Sequence, residues 1–386
     1  MSVKTTAKNA TQKSSLLPHS QAKLNLFKGY LENYLRVLIQ ADFCKKINLF
    51  DIYCGEGLYD DGKKGSPLLA IDCIKNVRTE MLNDKNSIKP ISLCVNDFDN
   101  QKIEKVKNNI DTNGLKNFTI EYHNKDADKM LDIVASQVSK CPKDHRNLVF
   151  IDPYGYSEIN KDKLISLLNN KCTEIILFLP VMQMYRFSEP AFNYEDKSQY
   201  EKLRNFINSF SNYSEIKKSE NIFKYIHFIK NALSINNTYF TCSHYIEREK
   251  GFYYALFFIG SHIFGLEKML DTKWKLDPVK GKGFNQNKNP NQLSMFDEQM
   301  NEIDNLREIS YLENVIYQII KQKDATTNIE IYESTLRNEF LPKHANIVLK
   351  NLTTQNKVQD ITNSSGYGIN YTNYQEKKVI SRFKPL

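Results

Sequence analysis

Short apolar runs that end in an acidic residue recur through the first half of the chain. The runs cover residues 47–52, 91–95, 118–122 and 148–151, and the acids at their ends are Asp51, Asp97, Asp126 and Asp152. A helix-like segment follows each run, which is the alternation expected of a parallel sheet with helical crossovers. Ligands of such sheets bind at the carboxyl ends of the strands. The pattern therefore predicts an α/β fold with a binding site beside these acids.

Further elements flank these four units. Leu24, Phe27 and Leu31 fall on one face of a helix predicted between Ser20 and Asp42. After Asp152 we predict a helix at Lys161–Asn169, a strand at Glu174–Leu179, a helical insertion at about 181–237, an antiparallel hairpin of Thr238–Glu247 with Phe252–Gly260, and a helix at Ile263–Leu270. The parallel sheet is thus expected to carry a helical insertion and to end in antiparallel strands.

The last part of the chain predicts a smaller domain. Residues 277–303 are rich in Pro, Gly and Asn, which indicates a linker. Three helix patterns and a two-stranded wing, Val358–Ile361 with Gly368–Tyr371, predict a winged helix over residues 304–386. Its third helix, Pro342–Asn351, would enter a major groove. The side chains that it would present there are Lys343, His344, Asn346, Lys350 and Asn351. A protein-binding or dimerising winged helix is the alternative, because the local charge is weak.

Composition narrows the class of protein. A chain of 386 residues suggests two or three domains, and apolar and charged contents of 41% and 25% are ordinary for a globular protein. No apolar run approaches the roughly 20 residues that span a bilayer, and no secretory signal opens the chain. We therefore expect a cytoplasmic protein without membrane association. The seven cysteines contain no Cys-x-x-Cys pair, which favours buried thiols over a metal site or disulfides.

The net charge of +8 is concentrated near the start of the chain. Eight Lys or Arg residues stand against Glu32 and Asp42 within residues 1–50. This surplus fits contact with a nucleic acid, although a solvated tail explains the first lysines equally well. We assign residues 1–18 to a disordered basic tail and residues 19–276 to the main domain.

The turn after the first strand has the features of a ligand-binding turn. Gly55 and Gly57 follow Asp51, and glycines there let the backbone approach a ligand closely. Asp97, at the end of the second strand, suits hydrogen bonds to ribose hydroxyls, and Asp126 suits the edge of a base. For both acids, capping of the following helix is the competing interpretation. The polar loop 59–67 is either a lid over this site or a plain connection.

A second candidate cluster is Asp152-Pro153-Tyr154-Gly155-Tyr156. A tight turn that caps the next helix is one interpretation of these residues, and the resemblance described below implies another.

These motifs resemble those of class I methyltransferases, which use S-adenosylmethionine. Asp51-x-x-x-Gly55-x-Gly57 is similar to the Asp-x-Phe-x-Gly-x-Gly motif of that superfamily, with Tyr53 in place of Phe. Asp152-Pro153-Tyr154 resembles the Asp-Pro-Pro-Tyr motif of enzymes that methylate exocyclic amines, without the second proline. The Asp-Pro-aromatic-Gly form is nearer to certain tRNA guanine-N2 methyltransferases.

The order of the motifs resembles the three-Cys-motif partner family (TcmP). The matching stretches are His19-Ser20-x-x-Lys23, Phe50 to Gly57, Gly65-Ser66-Pro67-Leu68, Phe150 to Tyr156, Trp274-Lys275-Leu276-Asp277-Pro278 and Gln292-Leu293-Ser294-Met295-Phe296. They cover about residues 19–300. The resemblance implies a Rossmann-like methyltransferase sheet with a helical insertion, followed by a C-terminal winged helix. It also implies, as a possible partner, a three-cysteine protein that is encoded by an adjacent gene.

The resemblance implies roles for the residues singled out above. Asp51, Tyr53, Gly55 and Gly57 would seat the amino-acid part of S-adenosylmethionine, Asp97 its ribose and Asp126 its adenine, while Asp152, Pro153 and Tyr154 would hold the target amine of a DNA or RNA base. The segment Gln292–Phe296 resembles the pentapeptide that binds the bacterial sliding clamp, and a segment folded back on the core is its alternative. An adaptor that keeps the fold without catalysis is the second functional hypothesis.

Overall fold

The computed structural model describes residues 15–81, 89–153, 155, 159, 161–194, 198–210, 219–249, 251–285, 295–362 and 366–386. The predicted tail lies largely outside the described residues. The first helix, α1 (Pro18–Gln40), begins with a proline, whose missing N–H costs nothing at that position. Its apolar face is fully buried, and Phe27 packs on Phe150 of the sheet with ring centroids 4.4 Å apart.

Eight strands form the central sheet in the order β3-β2-β1-β4-β5-β7-β6-β8. They are β1 (Lys46–Asp51), β2 (Ile91–Asn96), β3 (Phe118–His123), β4 (His145–Ile151), β5 (Thr173–Leu179), β6 (Phe240–Glu249), β7 (Phe252–Gly260) and β8 (Gly283–Asn285). The first five strands are parallel, whereas β7 runs antiparallel to both β5 and β6. The predicted mixed α/β sheet is confirmed.

The helices of the main domain cover both faces of this sheet. They are α2 (Ser66–Glu80), α3 (Asn100–Asn109), α4 (Ala127–Lys140), α5 (Lys161–Leu168), α6 (Val181–Asn193), α7 (Glu201–Phe210), α8 (Ile222–Leu233) and α9 (Ile263–Leu276). Leu49 and Leu93 point to the α1 side, and their neighbours Phe50 and Cys94 point to the α4 side. Because both faces are buried, the strands are apolar throughout. The segment predicted as a helical insertion contains α6, α7 and α8.

The segment predicted as a linker is partly built into the fold. Its residues Gly283–Asn285 form β8, which pairs parallel to β6, and the helix α10 (Met295–Lys321) already begins there. A Cβ at Gly283 would lie 2.4 Å from the Tyr245 ring, so the absence of a side chain allows this close approach. Gly283 therefore allows close contact between two strands and does not mark a flexible linker. The residues 286–294 lie outside the described part.

The C-terminal part contains three main helices and a small sheet. These are α10, α11 (Asn328–Arg337), α12 (Pro342–Thr354) and the strands β9 (Thr326–Thr327), β10 (Val358–Asp360) and β11 (Arg382–Pro385), with a short helix α13 (Tyr371–Gln375). The sheet has the order β10-β11-β9, and both pairings are antiparallel.

The second wing strand was predicted wrongly. Residues 368–371 form no strand, and the partner of β10 is β11 near the end of the chain. The Gly368 carbonyl accepts instead from the side-chain amides of Asn328 and Asn373. Asn370 then caps α13 by accepting from the Asn373 N–H at 2.9 Å. Side-chain hydrogen bonds thus replace the strand pairing that alternation of residues suggested.

The C-terminal part packs on α9 and shares a hydrophobic core with the main domain. Glu339, between α11 and α12, pairs with the buried Lys273 and, at 3.0 Å, with Lys230. The Trp274 indole N–H donates to the Glu339 carbonyl at 2.9 Å. Among the described helices, none is long and apolar enough to cross a membrane.

Candidate functional site

The turn after β1 leaves open space at the carboxyl edge of the sheet. Gly55 and Gly57 have φ values of 62° and 74°. A Cβ at Gly55 would meet no other atom within 4 Å, whereas one at Gly57 would lie 2.7 Å from Cδ1 of Leu68 on α2. Gly55 therefore faces space that a ligand can use, and Gly57 lets the turn pack against α2.

Asp51 is buried at the base of this space and is 3% exposed. Neither carboxylate oxygen makes a hydrogen bond of normal geometry within the described part of the chain, although the Ser66 hydroxyl and the Tyr53 N–H favour the ionised form. Burial raises the pKa of the carboxyl to about 7, and the nearby Asp152 adds to the rise. A buried carboxylate without a full partner suits a cationic group of a ligand. Tyr53 itself is partly buried against the α4 side of the core.

Asp97 supports the glycine turn from the neighbouring strand. It is 3% exposed, and its carboxylate accepts from the N–H groups of Gly55 at 3.1 Å and Asp99 at 2.9 Å. Lys102 lies 3.6 Å from the same carboxylate. Asp97 therefore fixes the backbone at the turn, while Asp99 is the residue that caps α3.

Phe98, which the sequence analysis missed, is 77% exposed beside Asp97. The Asn124 side chain donates to the Phe98 carbonyl at 2.7 Å and to the Asp97 carbonyl at 3.1 Å, which fixes the backbone under the ring. An exposed aromatic ring at a fixed position suits a planar ligand group. The one feature of the sequence that could have indicated this ring is its position directly after Asp97, the acid at the end of the second strand.

Asp126 caps α4, as the competing interpretation proposed. It is exposed, and its side chain accepts from the Asp128 N–H at 3.0 Å. This hydrogen bond uses one carboxylate oxygen at the carboxyl end of β3, one strand away from Asp97.

Asp152, at the end of β4, pairs with Lys23 of α1. The side chains are 20% and 12% exposed, and the Lys23 ammonium lies 4.8 Å from the centre of the Phe178 ring. Burial alone would lower the pKa of Lys23, but Asp152 outweighs burial and raises it. Since α5 begins only at Lys161, Asp152 does not cap that helix. Pro153 is buried, and Tyr154 lies outside the described residues.

Aromatic rings and cationic groups continue from this ion pair along β5 and β7. Tyr254 stacks on Phe178 with centroids 5.2 Å apart and on His19 with centroids 5.7 Å apart. Arg186 lies 5.7 Å from the Phe252 ring, next to Tyr254. The arrangement places basic side chains beside a stack of aromatic rings in which Phe178 is buried.

The predicted groove-facing residues of α12 divide into two sets. Lys343, Asn346 and Lys350 are exposed, and the last two line a shallow groove with Tyr367. His344 cannot reach a nucleic acid, because it is 7% exposed and its Nδ1 accepts from the Leu341 N–H at 3.1 Å.

The His344 ring also packs on Trp274, with ring centroids 4.3 Å apart. Burial, and then the charge of Lys343, lowers the pKa of His344 to about 4. Residues 292–294 and the side chains of Met295 and Phe296 lie outside the described part of the chain, so the clamp-like segment stays a prediction.

Three possible metal ligands meet at the outer strands of the sheet. Cys94 of β2 lies opposite Glu121 of β3, and His123 follows two residues later on the same face. Their ligand atoms lie within 4.8 Å of one another. Burial raises the pKa of Cys94 to about 12, so its thiol stays protonated without a cation. The sequence analysis missed this group because the residues come from two strands.

Comparison with family models and with curated proteins finds no match to the sequence. Among solved structures, a Legionella pneumophila protein of family DUF519 is 12% identical, with a TM-score of 0.34, over 66% of this chain and 90% of that one. A loganic acid methyltransferase with SAH is 8% identical, with a TM-score of 0.28, over 76% of this chain and 91% of that one. At such TM-scores neither similarity assigns an activity to this chain.

Proposed function

We propose that the protein is a methyltransferase that uses S-adenosylmethionine to methylate an exocyclic amine of a nucleic acid. The observation that carries this proposal is the meeting of the open turn at Gly55, the buried Asp51 carboxylate and Asp152 at one edge of the sheet. Ligand binding at that edge is typical of parallel α/β sheets.

The residues at this edge fit the parts of the cofactor. Asp51 would hold the ammonium of its amino-acid part, and the Gly55 backbone would pass close to it. Asp97 would hold the backbone of the glycine turn and accept a hydrogen bond from the ribose. Phe98 would stack on the adenine, and Asp126 would lie beside the same ring. When bound, the cofactor supplies an electrophilic methyl group. The task of the protein is then to hold a nucleophile in line with that group.

Asp152 and the Pro153 carbonyl are the acceptors proposed for the target amine. Lys23 binds one oxygen of Asp152, and the other would accept from an amine N–H. This contact would orient the nitrogen lone pair without removing a proton beforehand. A base drawn out of its strand would stack on Tyr154.

Positive charge near these rings suits the phosphates of the same strand. His19, Lys23 and Arg186 surround the aromatic surface, and Lys343 and Lys350 lie exposed on α12. We propose that residues 304–386 form a winged helix that contacts the nucleic acid. Phosphate contacts would supply affinity, and the stacked base would supply selectivity.

A catalytically silent adaptor is the second candidate. The ion pair between Lys23 and Asp152 favours it, because a carboxylate that already has a cationic partner is less available to a substrate. Such an adaptor would bind nucleic acid through α12, or a protein such as a three-cysteine-motif partner or a sliding clamp.

Calorimetric titration with S-adenosylmethionine separates the two candidates. We expect binding by the wild-type protein and a loss of at least tenfold in affinity for Gly55→Val, because the new side chain fills the open space. Gly114→Val is the matched control: Gly114 also has positive φ and open surroundings, but lies in the exposed loop before β3. If wild-type protein releases no heat and shows no thermal shift, the methyltransferase proposal fails.

A second assay addresses the substrate. Labelled methyl transfer into DNA and into RNA is measured separately, each with folded protein quantified by melting. Incorporation into either polymer supports the proposal and identifies the polymer. Cofactor binding without incorporation into either one would favour the adaptor.

A further inference from the structure

A second cavity, of about 380 Å³, opens where the parallel strands begin, at the edge of the sheet opposite Asp51 and Asp152. Its walls come from α1, the start of β5, the first turns of α9 and the short helix α13. The volume lies in the range of small-molecule sites, about 300–1,000 Å³. The residues of the candidate methyl-transfer site do not line it, so any ligand here would be bound independently.

Glu174 forms the floor of this cavity. Protein atoms surround the side chain, yet part of its surface remains accessible because it faces the cavity. Tyr30 donates to Oε2 at 2.5 Å. A Cβ at Gly265 would lie 2.1 Å from Oε1, so only glycine at this point of α9 leaves room for the carboxylate.

Within the part of the chain that the structure describes, two hydroxyl groups beside Glu174 lack hydrogen-bond partners. Tyr34 is 6% exposed, and its hydroxyl makes no hydrogen bond to any described residue. The buried Ser261 hydroxyl likewise makes no hydrogen bond to any described residue, and both Tyr34 and Ser261 line the cavity. Buried polar groups are normally paired, and an unpaired one costs free energy. Together with the carboxylate, they form a polar floor that is ready for hydrogen bonds from a ligand.

The rim carries positive charge. Arg146, Lys171 and Lys268 line it; the first donates to backbone carbonyls, and the last pairs with Asp271 at 3.2 Å. Lys171 is exposed at the start of β5. An anionic group at the rim would meet this charge, whereas the floor demands N–H donors.

Aromatic rings make up much of the wall between floor and rim. Phe264 stacks on Tyr371 with centroids 4.2 Å apart, and Phe43 is 57% exposed next to Arg146. Flat rings of this kind accept a planar group by stacking. The cavity therefore combines a polar floor, planar walls and a cationic rim.

We propose that this cavity binds an anionic molecule with a planar edge of adjacent N–H donors, the pattern that a guanine nucleotide presents. The two donors of a guanine edge match the two oxygens of a carboxylate, and the Tyr34 and Ser261 hydroxyls reach its remaining polar atoms. The phosphate lies at the rim with Lys171 and Arg146. Adenine lacks this donor edge, so the site discriminates between the two purines.

Binding should strengthen as the pH rises from 6 to 8, because the ionised form of Glu174 accepts both donors. Burial raises the pKa of Glu174 to about 7, while the Tyr30 hydrogen bond and the Arg146 charge oppose the rise. The other polar or ionisable groups that line the cavity are Tyr34 on α1, Lys171, Cys172 and Thr173 at the start of β5, Ser261, His262 and Lys268 at α9, and Tyr371 and Gln375 on α13. Burial, and then the charge of Arg146, lowers the pKa of His262, which disfavours the cationic form of its ring.

The test is calorimetric titration of the full chain with guanosine monophosphate. Adenosine monophosphate, guanosine and inorganic phosphate are the comparison probes. We expect guanosine monophosphate to bind at least tenfold more tightly than adenosine monophosphate or phosphate alone. Guanosine should keep the pH dependence, since it has no phosphate that titrates. Equal affinity for the two nucleotides, equal affinity for phosphate alone, or no heat with any probe would overturn the proposal.

Variants assign the binding to this cavity. Glu174→Gln keeps the shape and should weaken guanosine monophosphate at least tenfold, and Tyr34→Phe, which removes only an unpartnered hydroxyl, should weaken it about threefold. Glu104→Gln, on the exposed surface of α3, is the matched control. Thermal melting checks that each variant folds. Undiminished binding by both folded cavity variants would contradict the assignment, whatever the outcome with S-adenosylmethionine.

Discussion

The aspartates that end or follow strands at the carboxyl edge of the sheet differ in their burial and in their hydrogen-bond partners. Asp126 is exposed and caps a helix, Asp97 is buried and holds two backbone N–H groups, and Asp51 is buried without a hydrogen bond of normal geometry to any residue that the structure describes. The chemistry of a carboxylate therefore depends on the partners that the fold supplies.

The first residue-scale prediction concerns the pH dependence of Asp51. Its folded pKa of about 7 lies above the ordinary value of 3.8, so the folded state binds the additional proton between pH 4 and pH 7. The stability that this proton contributes is fully present below about pH 4 and is lost as the pH rises to about 7. Asp51→Asn should remove a difference on the order of 4 kcal/mol. Urea unfolding at pH 4.5, 6 and 7.5 measures it.

Comparison of the variant with wild type is required because Glu174 titrates in the same range. Asp51→Asn should also abolish the gain in S-adenosylmethionine affinity from pH 6 to pH 8, since the ammonium needs the ionised carboxylate. Identical stability profiles for both proteins would show that Asp51 has an ordinary pKa.

The second residue-scale prediction concerns Asp152 and Lys23. Asp152→Asn keeps an acceptor oxygen and should retain part of the methyl transfer, whereas Asp152→Ala should abolish it. Lys23→Met should lower both stability, by about 2 kcal/mol, and turnover, because it leaves a partly buried carboxylate without its partner. The measurements are methyl incorporation per folded molecule and thermal melting.

Lys28→Met is the control, since Lys28 lies on the same helix but pairs only weakly with Glu32 at 4.0 Å. Full specific activity in Asp152→Ala would exclude the proposed role in amine binding.

At the scale of elements, α12 shows how burial separates neighbouring residues of one helix. Lys343, Asn346 and Lys350 face solvent, and His344 faces Trp274. Helical periodicity gives this division in principle, because positions 343, 346 and 350 lie on one face. His344 was nevertheless predicted to face the groove, because its side chain, like those of the lysines, can contact a nucleic acid.

The element-scale prediction concerns binding of nucleic acid by α12. Lys343→Glu with Lys350→Glu should weaken binding and reduce the slope of log affinity against log salt by about 2, because two phosphate contacts are lost. Fluorescence anisotropy at several salt concentrations measures the slope. His344→Ala should lower the melting temperature and leave the slope unchanged.

Reversal of Lys116 and Lys143, exposed in loops far along the chain from α12, provides the control for net charge. Equal effects of the two double variants would indicate a general charge effect and assign α12 to protein contacts.

At the scale of the whole molecule, the ion cluster at Glu339 joins the two parts of the chain. Lys273 is fully buried and Lys230 is 6% exposed, and both ammonium groups depend on this one carboxylate. Burial would raise the pKa of Glu339, but the two lysines outweigh burial and lower the pKa to about 2. The stability of each part is therefore coupled to the other.

The whole-molecule prediction is that Glu339→Gln lowers the free energy of unfolding by about 3–5 kcal/mol, since it leaves a buried ammonium unpaired. The wild-type contribution is present above about pH 4.5 and is lost as the pH falls to about 2. Calorimetry should show one cooperative transition that shifts as a unit. Glu333→Gln, which removes the charge of the surface pair with Arg337 but keeps an oxygen that can accept from the Tyr374 hydroxyl, is the control. Two separate transitions would show that the parts unfold independently.

The sequence by itself determined the strands β1 to β7, the main helices and the edge at which the acids gather, because hydrophobic periodicity and turn residues are local signals. The predicted strands at Ile91, Phe118 and Phe252 begin at those residues, and the parallel α/β sheet is confirmed. Only the tertiary structure decided which groups distant in the chain meet: Lys23 with Asp152, Tyr30 with Glu174, and Cys94 with Glu121. It also decided that β10 pairs with β11 rather than with residues 368–371. Such contacts depend on the summed free energy of packing across the whole chain, and no short stretch of sequence contains that sum.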